Sequence, residues 1–139
     1  MDIKDLADSG AAQKIKKAYV DTPSGQMHYY CGGPREKPPI VFLHQNVSSA
    51  KAFEPTLRML VDRYHCVALD LPGFGGSFDP PPFESISALT GYTMEFVDAL
   101  GLEKFHLCGS HTGAGMSAEI SSLYPDRTLS CMMIGALLF

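Results

Sequence analysis

The sequence predicts an α/β domain, with a mostly parallel sheet, helices on both faces and an antiparallel hairpin at its amino-terminal side. Two observations carry this prediction. Short apolar runs typical of buried strands alternate with longer segments whose apolar residues recur every three or four positions, as on one face of a helix. Strands and helices that alternate in this way form right-handed crossover units in one sheet, with helices packed on its two faces.

The hairpin comes first. Two β-prone runs, residues 17–21 and 26–31, are separated by residues 22–25, which contain a proline and a glycine. Both residue types favour turns, so the two runs are predicted to pair. After a loop rich in proline and charge, residues 40–43 form a continuous apolar run, which is typical of a strand buried on both faces of a parallel sheet.

The remaining elements alternate along the chain. Ser48 and Ser49 can cap a helix whose apolar residues stand at positions 53, 57, 60 and 61. The later predicted elements are strand 65–69, loop 70–83, helix 86–100, strand 104–108, helix 113–124 and strand 129–138. We therefore predict a polar amino-terminal extension over residues 1–14 and one domain over residues 15–139.

The last apolar run, residues 131–139, continues to the final residue without a turn or a polar tail. Chain ends are usually exposed. We therefore expect the fold to continue beyond Phe139 in a complete protein, so that the domain is truncated after a strand that ends near Phe139. An incomplete sheet edge of this kind is expected to favour self-association.

Composition limits the partners. Eleven basic and fifteen acidic residues give a net charge of -4 with no long run of either sign, which argues against a nucleic acid or an anionic membrane as a partner. The first ten residues lack the pattern of a secretory signal. The four cysteines lack the paired spacing of a zinc site and are expected to be buried free thiols. We expect a cytoplasmic protein without a metal.

A nucleotide cofactor is also not expected. The glycines of residues 73–76 could suggest a dinucleotide-binding loop, but the third glycine of that pattern would fall at Phe78. A proline-rich stretch follows where the helix of such a loop should begin.

The most informative segment, residues 107–115, joins a buried strand to a helix through a turn flanked by Gly109 and Gly113. Such a turn exposes its central residue above the sheet edge, beside a helix start that stabilises negative charge. Small residues are needed two positions before and after the centre, because strand and helix approach closely there. The glycines therefore place His111 at the centre, and Ser110, one residue earlier on a strand, is expected to point to the opposite face.

This segment resembles the nucleophile elbow of the α/β-hydrolase family, Gly-x-Ser-x-Gly. His44-Gln45-Asn46 resembles the family's His-Gly-x oxyanion loop, residues 70–77 resemble its Asp-x-x-Gly-x-Gly-x-Ser loop, and residues 123–127 resemble the end of the helix after the elbow. The match covers roughly residues 15–138, and the joint order of the motifs is more specific than any one of them. Two residues depart from the pattern, since His111 replaces the serine and Gln45 replaces the glycine.

The resemblance implies roles for individual residues. The backbone N–H groups of Asn46 and Thr112 would form the oxyanion hole. His44 and Asp70 would fix the loops that follow their strands. The residues that would support the site are His44, Gln45, Gly109, Ser110 and Gly113. The acid and histidine of a triad follow the nucleophile in the family's chain order, which places them beyond this chain.

Three functions remain open. In the first, the complete protein is a cofactor-free hydrolase of an ester or a related carbonyl substrate, with His111 as a nucleophile or a general base. In the second, covalent catalysis has been lost and the pocket binds a small apolar molecule. In the third, the chain is an inactive fragment of the fold. The motifs do not specify the substrate or the oligomeric state.

Overall fold

The computed structural model describes residues 15–82 and 84–136 of the chain, so the predicted extension over residues 1–14 lies outside them. Six strands form one sheet in the order β1-β2-β4-β3-β5-β6. The strands are β1 (Ile15–Asp21), β2 (Gln26–Gly32), β3 (Pro39–Leu43), β4 (His65–Leu69), β5 (Phe105–Ser110) and β6 (Thr128–Ile134). The helices are α1 (Glu54–Leu60), α2 (Ile86–Ala99) and α3 (Thr112–Leu123), with short 3₁₀ turns at Ala50–Phe53 and Pro125–Arg127.

The strand directions confirm the predicted class. β1 and β2 form the antiparallel hairpin, closed by backbone hydrogen bonds of 3.0 and 3.2 Å between Thr22 and Gly25. β2 also pairs antiparallel with β4, whereas the β4–β3, β3–β5 and β5–β6 pairs are parallel. The sheet is therefore mostly parallel, with the hairpin on one side.

Two apolar layers hold helices on both faces of the sheet. The layer under α2 and α3 includes Phe96, Phe105 and Met116, and the layer under α1 includes Phe42 and Leu57. All five side chains are essentially buried. Each fully buried side chain of this size contributes about 1.5–3 kcal/mol. The two layers fix the sheet, and hence the positions of the loops at its ends.

Two local predictions are wrong. Ser49 precedes the 3₁₀ turn, but its side chain makes no capping hydrogen bond, and the α-helix begins later, at Glu54. The last strand ends at Ile134, before residues 135 and 136 of the predicted strand, whose remaining end near Phe139 lies outside the described residues. Gly135 has φ +59°, a left-handed conformation that a strand does not accommodate, so the chain turns there within its apolar run.

The outer strand β6 is exposed. In the part of the chain that the structure describes, β5 is the one strand that pairs with β6 in the sheet. Its exposed apolar side chains are Leu129, Met132, Met133 and Ile134, between 45% and 60% accessible. Exposed apolar edges of this kind favour association, so self-association stays a prediction.

Candidate active site

The predicted site residues meet at one edge of the sheet. The chain leaves β3 at His44, β4 at Asp70 and β5 at His111, and these three strands are parallel neighbours. Their carboxyl ends therefore lie at the same edge, which is where open parallel sheets bind ligands. Gln45 and Asn46 lie in the loop after β3, while Gly109 and Ser110 end β5.

The turn between β5 and α3 has the geometry of an elbow. His111 has φ 50° and ψ -107°, and it is the one non-glycine residue with a positive φ in the described ranges. Such a conformation is uncommon for a residue with a side chain. The His111 N–H donates to the Ile134 carbonyl at 2.9 Å, and its own carbonyl accepts from the N–H groups of Ala114 and Gly115. The backbone of the turn is fixed, and the imidazole is exposed at the start of α3.

The flanking glycines allow strand, helix and neighbouring strand to approach closely. A side-chain carbon at Gly109 would collide with the Gly113 carbonyl oxygen, and one at Gly113 would collide with the Leu43 carbonyl oxygen. Both obstacles are backbone atoms, which cannot rotate away. The structure therefore supplies the physical reason for the glycine spacing.

His44 is buried and fixes two loops. Its Nε2 accepts a hydrogen bond of 2.9 Å from the Leu71 N–H, so its Nδ1 carries the proton and donates to the Gln45 carbonyl at 2.8 Å. Burial lowers the pKa of His44 below 6.5, against smaller opposing effects of the Gln45 carbonyl and the Asp70 carboxylate. The neutral imidazole is the form that both hydrogen bonds require. This arrangement fits the loop-fixing role that the resemblance implies.

The lowered pKa predicts how stability depends on pH. Below about pH 6.5 the unfolded chain binds a proton at His44 that the folded chain resists, so this contribution to the free energy of unfolding is lost as pH falls. We expect His44→Gln to be less stable at neutral pH, but to lose less stability on going from about pH 7.5 to about pH 5.5. Urea unfolding of both proteins at the two pH values measures this. Equal losses in the two proteins would contradict the assignment.

The Asp70 carboxylate accepts hydrogen bonds from three groups of the chain. Oδ1 accepts from the Ala50 N–H at 2.7 Å, and Oδ2 accepts from the Gly76 N–H at 3.0 Å and from His28 Nδ1 at 2.8 Å. The side chain is 3% exposed. Its position after β4 suits the predicted loop-fixing role. The contact with His28, 42 residues away in sequence, was not predicted.

The two backbone groups predicted to form an oxyanion hole lie on facing segments. Asn46 follows β3, and Thr112 begins α3. The Asn46 N–H donates to the Thr112 hydroxyl at 3.3 Å, so this donor is occupied by a side chain of the protein itself. The oxyanion-hole assignment stays a prediction, and any anion that uses Asn46 must compete with that hydroxyl.

Ser110 and Ser48 border a cavity that the sequence did not reveal. The cavity has a volume of about 210 Å³ and lies between the loop after β3 and the end of β6. Its lining residues are His44, Gln45, Ser48, Ala52, Phe53, Ser110 and Ile134. Ser110 Oγ also lies 3.1 Å from His111 Nδ1. Ser48 was predicted as a helix cap, and its place on the cavity wall depends on packing between distant segments.

Two of the four thiols are buried. Burial raises the pKa of the Cys66 thiol to about 12 and also raises the pKa of Cys108, so neither is a nucleophile near neutral pH. Cys31 and Cys131 are free and half-buried rather than fully buried.

Residues 15–82 and 84–136 contain no group of three or more metal-ligating side chains. The same residues form no helix long and apolar enough to cross a membrane.

Comparison with known proteins identifies the family. Residues 38–138 match the family model of the α/β-hydrolase fold. The chain belongs to this family. It is 33% identical over 114 residues to haloalkane dehalogenase 2 of Mycobacterium tuberculosis, and the matched region covers 81% of this chain and 39% of that protein. It is 26% identical over 125 residues to an uncharacterized carboxylesterase of Bacillus subtilis, and the matched region covers 87% of this chain and 41% of that protein.

A solved structure agrees with the family's fold. The crystal structure of a membrane phospholipase A superposes with a TM-score of 0.86 at 26% identity, over 96% of this chain and 45% of that chain. The present α/β-hydrolase chain therefore spans less than half of the length of each of these three proteins.

Proposed function

We propose that the protein is a cofactor-free hydrolase of an ester or a related carbonyl substrate, with His111 at the reacting centre. The observation that carries the proposal is the position of His111, exposed at the tip of the turn between β5 and α3. An imidazole at this position can attack a carbonyl carbon or take a proton from a hydroxyl group. Cytoplasmic location is part of the proposal, supported by four free thiols.

Two of the three similar proteins favour an ester as the substrate class, whereas the third is named as a haloalkane dehalogenase. Two of them are named as a carboxylesterase and a phospholipase, and they match 87% and 96% of this chain. The backbone N–H of Thr112, at the start of α3, would stabilise the oxygen of a tetrahedral intermediate. The Asn46 N–H would assist once the Thr112 hydroxyl releases it.

Turnover of an activated ester such as p-nitrophenyl acetate tests the proposal. We expect His111→Ala to lower kcat/KM by about a hundredfold or more, which is the usual contribution of a positioned acid or base. His106→Gln is the matched control, because His106 lies on β5, the strand that leads to His111, and its side chain contacts Ser130. Equal activity in the wild type and His111→Ala would refute the role of His111.

A second candidate is a binding module for a small apolar molecule. The occupied Asn46 N–H and the glutamine at position 45 favour it, because both weaken the oxyanion hole. This function predicts saturable binding of an ester or its non-hydrolysable ether analogue, without turnover. Calorimetric titration with the ether, beside the ester assay, separates the two functions.

A further inference from the structure

The side chains of Ser110 and His111 form a pair whose chemistry the proposed function leaves undefined. Ser110 Oγ lies 3.1 Å from His111 Nδ1, within hydrogen-bond distance. In the tautomer with its proton on Nε2, the imidazole accepts the Ser110 hydroxyl hydrogen at Nδ1. A hydroxyl in contact with a base is the arrangement that makes serine a nucleophile.

The cavity beside Ser110 could hold a reacting group. Ser110 is the last residue of β5 and is half-buried, whereas the His111 ring is exposed. Ala52, Phe53 and Ile134 give the cavity apolar walls, and Gln45 contributes a polar group. Apolar walls with a few polar groups are typical of ligand sites. The volume of about 210 Å³ is below the usual range of about 300–1,000 Å³, so it suits a small group such as acetyl.

We propose that Ser110 accepts the acyl group of a short-chain ester, and that His111 acts through Nδ1 as its general base. The proposal rests on the proposed hydrolase function and defines the role of each residue in it. It moves the nucleophile one residue before the centre of the turn. The acyl group then occupies the cavity on the α1 side of the sheet, while the leaving group faces solvent at the exposed imidazole.

The chemistry needs no other protein group as a base. Ser110 Oγ transfers its proton to His111 Nδ1 and bonds to the carbonyl carbon, and the bond from that carbon to the alkoxy oxygen breaks. The leaving alkoxide takes the proton from Nδ1. A water molecule then gives a proton to Nδ1 while its oxygen bonds to the acyl carbon. The ester bond to Oγ breaks, Oγ recovers the proton, and a carboxylic acid is released.

The start of α3 adds electrostatic support. At the start of α3 the N–H groups of Ala114 and Gly115 donate to the His111 carbonyl, and the N–H groups of Thr112 and Gly113 come before these helical hydrogen bonds. They follow Ser110 and His111 directly in the chain, and the positive end of the helix dipole there would stabilise negative charge on the carbonyl oxygen.

Covalent labelling tests this assignment separately from turnover. The wild-type chain is treated with a fluorophosphonate, which forms an Oγ–P bond with loss of fluoride, and with p-nitrophenyl acetate. Peptide mass spectrometry then locates each adduct. We expect both adducts on Ser110, with labelling at least about a hundredfold slower in Ser110→Ala and in His111→Ala.

Ser130→Ala provides a matched control. Ser130 Oγ lies 2.7 Å from His106 Nδ1, so it forms a second contact between a serine and a histidine, away from the turn. Labelling at an unchanged rate in Ser130→Ala is expected. A labelling rate lowered as much as in Ser110→Ala would overturn the assignment, because labelling would then not depend specifically on the Ser110–His111 pair.

The outcomes distinguish this inference from the proposed function. Turnover that depends on His111 but not on Ser110, or an acetyl adduct on His111, would overturn the role of Ser110 and leave the hydrolase function intact. An absence of both turnover and labelling would overturn both. Faster release of p-nitrophenol from the acetate than from the octanoate ester is expected, because the cavity is small. The reverse order would overturn the acyl site.

Discussion

Gly113→Ala is expected to destabilise the protein by about 3 kcal/mol or more, which is a large fraction of the about 5–15 kcal/mol that stabilises an ordinary domain. The added carbon would meet the Leu43 carbonyl oxygen, so β3 and α3 must separate or the first turn of α3 must distort. Either movement disturbs the position of His111. The free energy of unfolding in urea, followed by circular dichroism, measures the effect.

Gly115→Ala is the matched control for this substitution. Gly115 lies two residues later on the same helix, and a carbon added there meets no atom within 4 Å. Alanine favours a helix over glycine by about 1 kcal/mol, so a small gain in stability is expected. Similar losses in both variants would show that close contact at Gly113 is not the cause.

The fold was largely predictable because its signals are local. Strand β4 was predicted with the same bounds as observed, since an apolar run between a charged loop and a proline-rich loop has few alternatives. The turn at His111 was predicted from two glycines, because close approach of backbones excludes a side chain there. The end of β6 was not predicted. Apolarity continues past Gly135, whose positive φ ends the strand.

The contacts within the candidate site were harder to predict. The Asn46 N–H reaches the Thr112 hydroxyl across 66 residues of sequence, and no periodicity or spacing encodes that hydrogen bond. Ser110 was expected to face away from the turn's centre. Because adjacent side chains at a sharply bent backbone can still meet, its hydroxyl contacts the His111 imidazole. The sequence thus located the turn, and the structure is needed to relate its neighbouring side chains.

Asp70→Asn is expected to lower the free energy of unfolding by about 2–3 kcal/mol, although the side chain hardly changes in size. The carboxylate accepts from three donors, and an amide has one acceptor oxygen. If the amide oxygen faces Ala50, its NH₂ group meets the Gly76 N–H. If it faces Gly76, the NH₂ group meets the Ala50 N–H. Either orientation leaves a backbone donor without its present partner, which is the buried Ala50 N–H in one case and the Gly76 N–H of the exposed loop in the other.

The same substitution tests whether Asp70 also supports the active site. Ala50 follows the loop of His44, Gln45 and Asn46, so losing its hydrogen bond frees one end of that loop. We expect ester turnover at a temperature where the variant stays folded to fall together with stability. Asp21→Asn is the control, because Asp21 is exposed and its loss should change stability by no more than about 0.5 kcal/mol. Normal turnover by folded Asp70→Asn would limit Asp70 to a purely structural role, and the loop after β3 would then need another anchor.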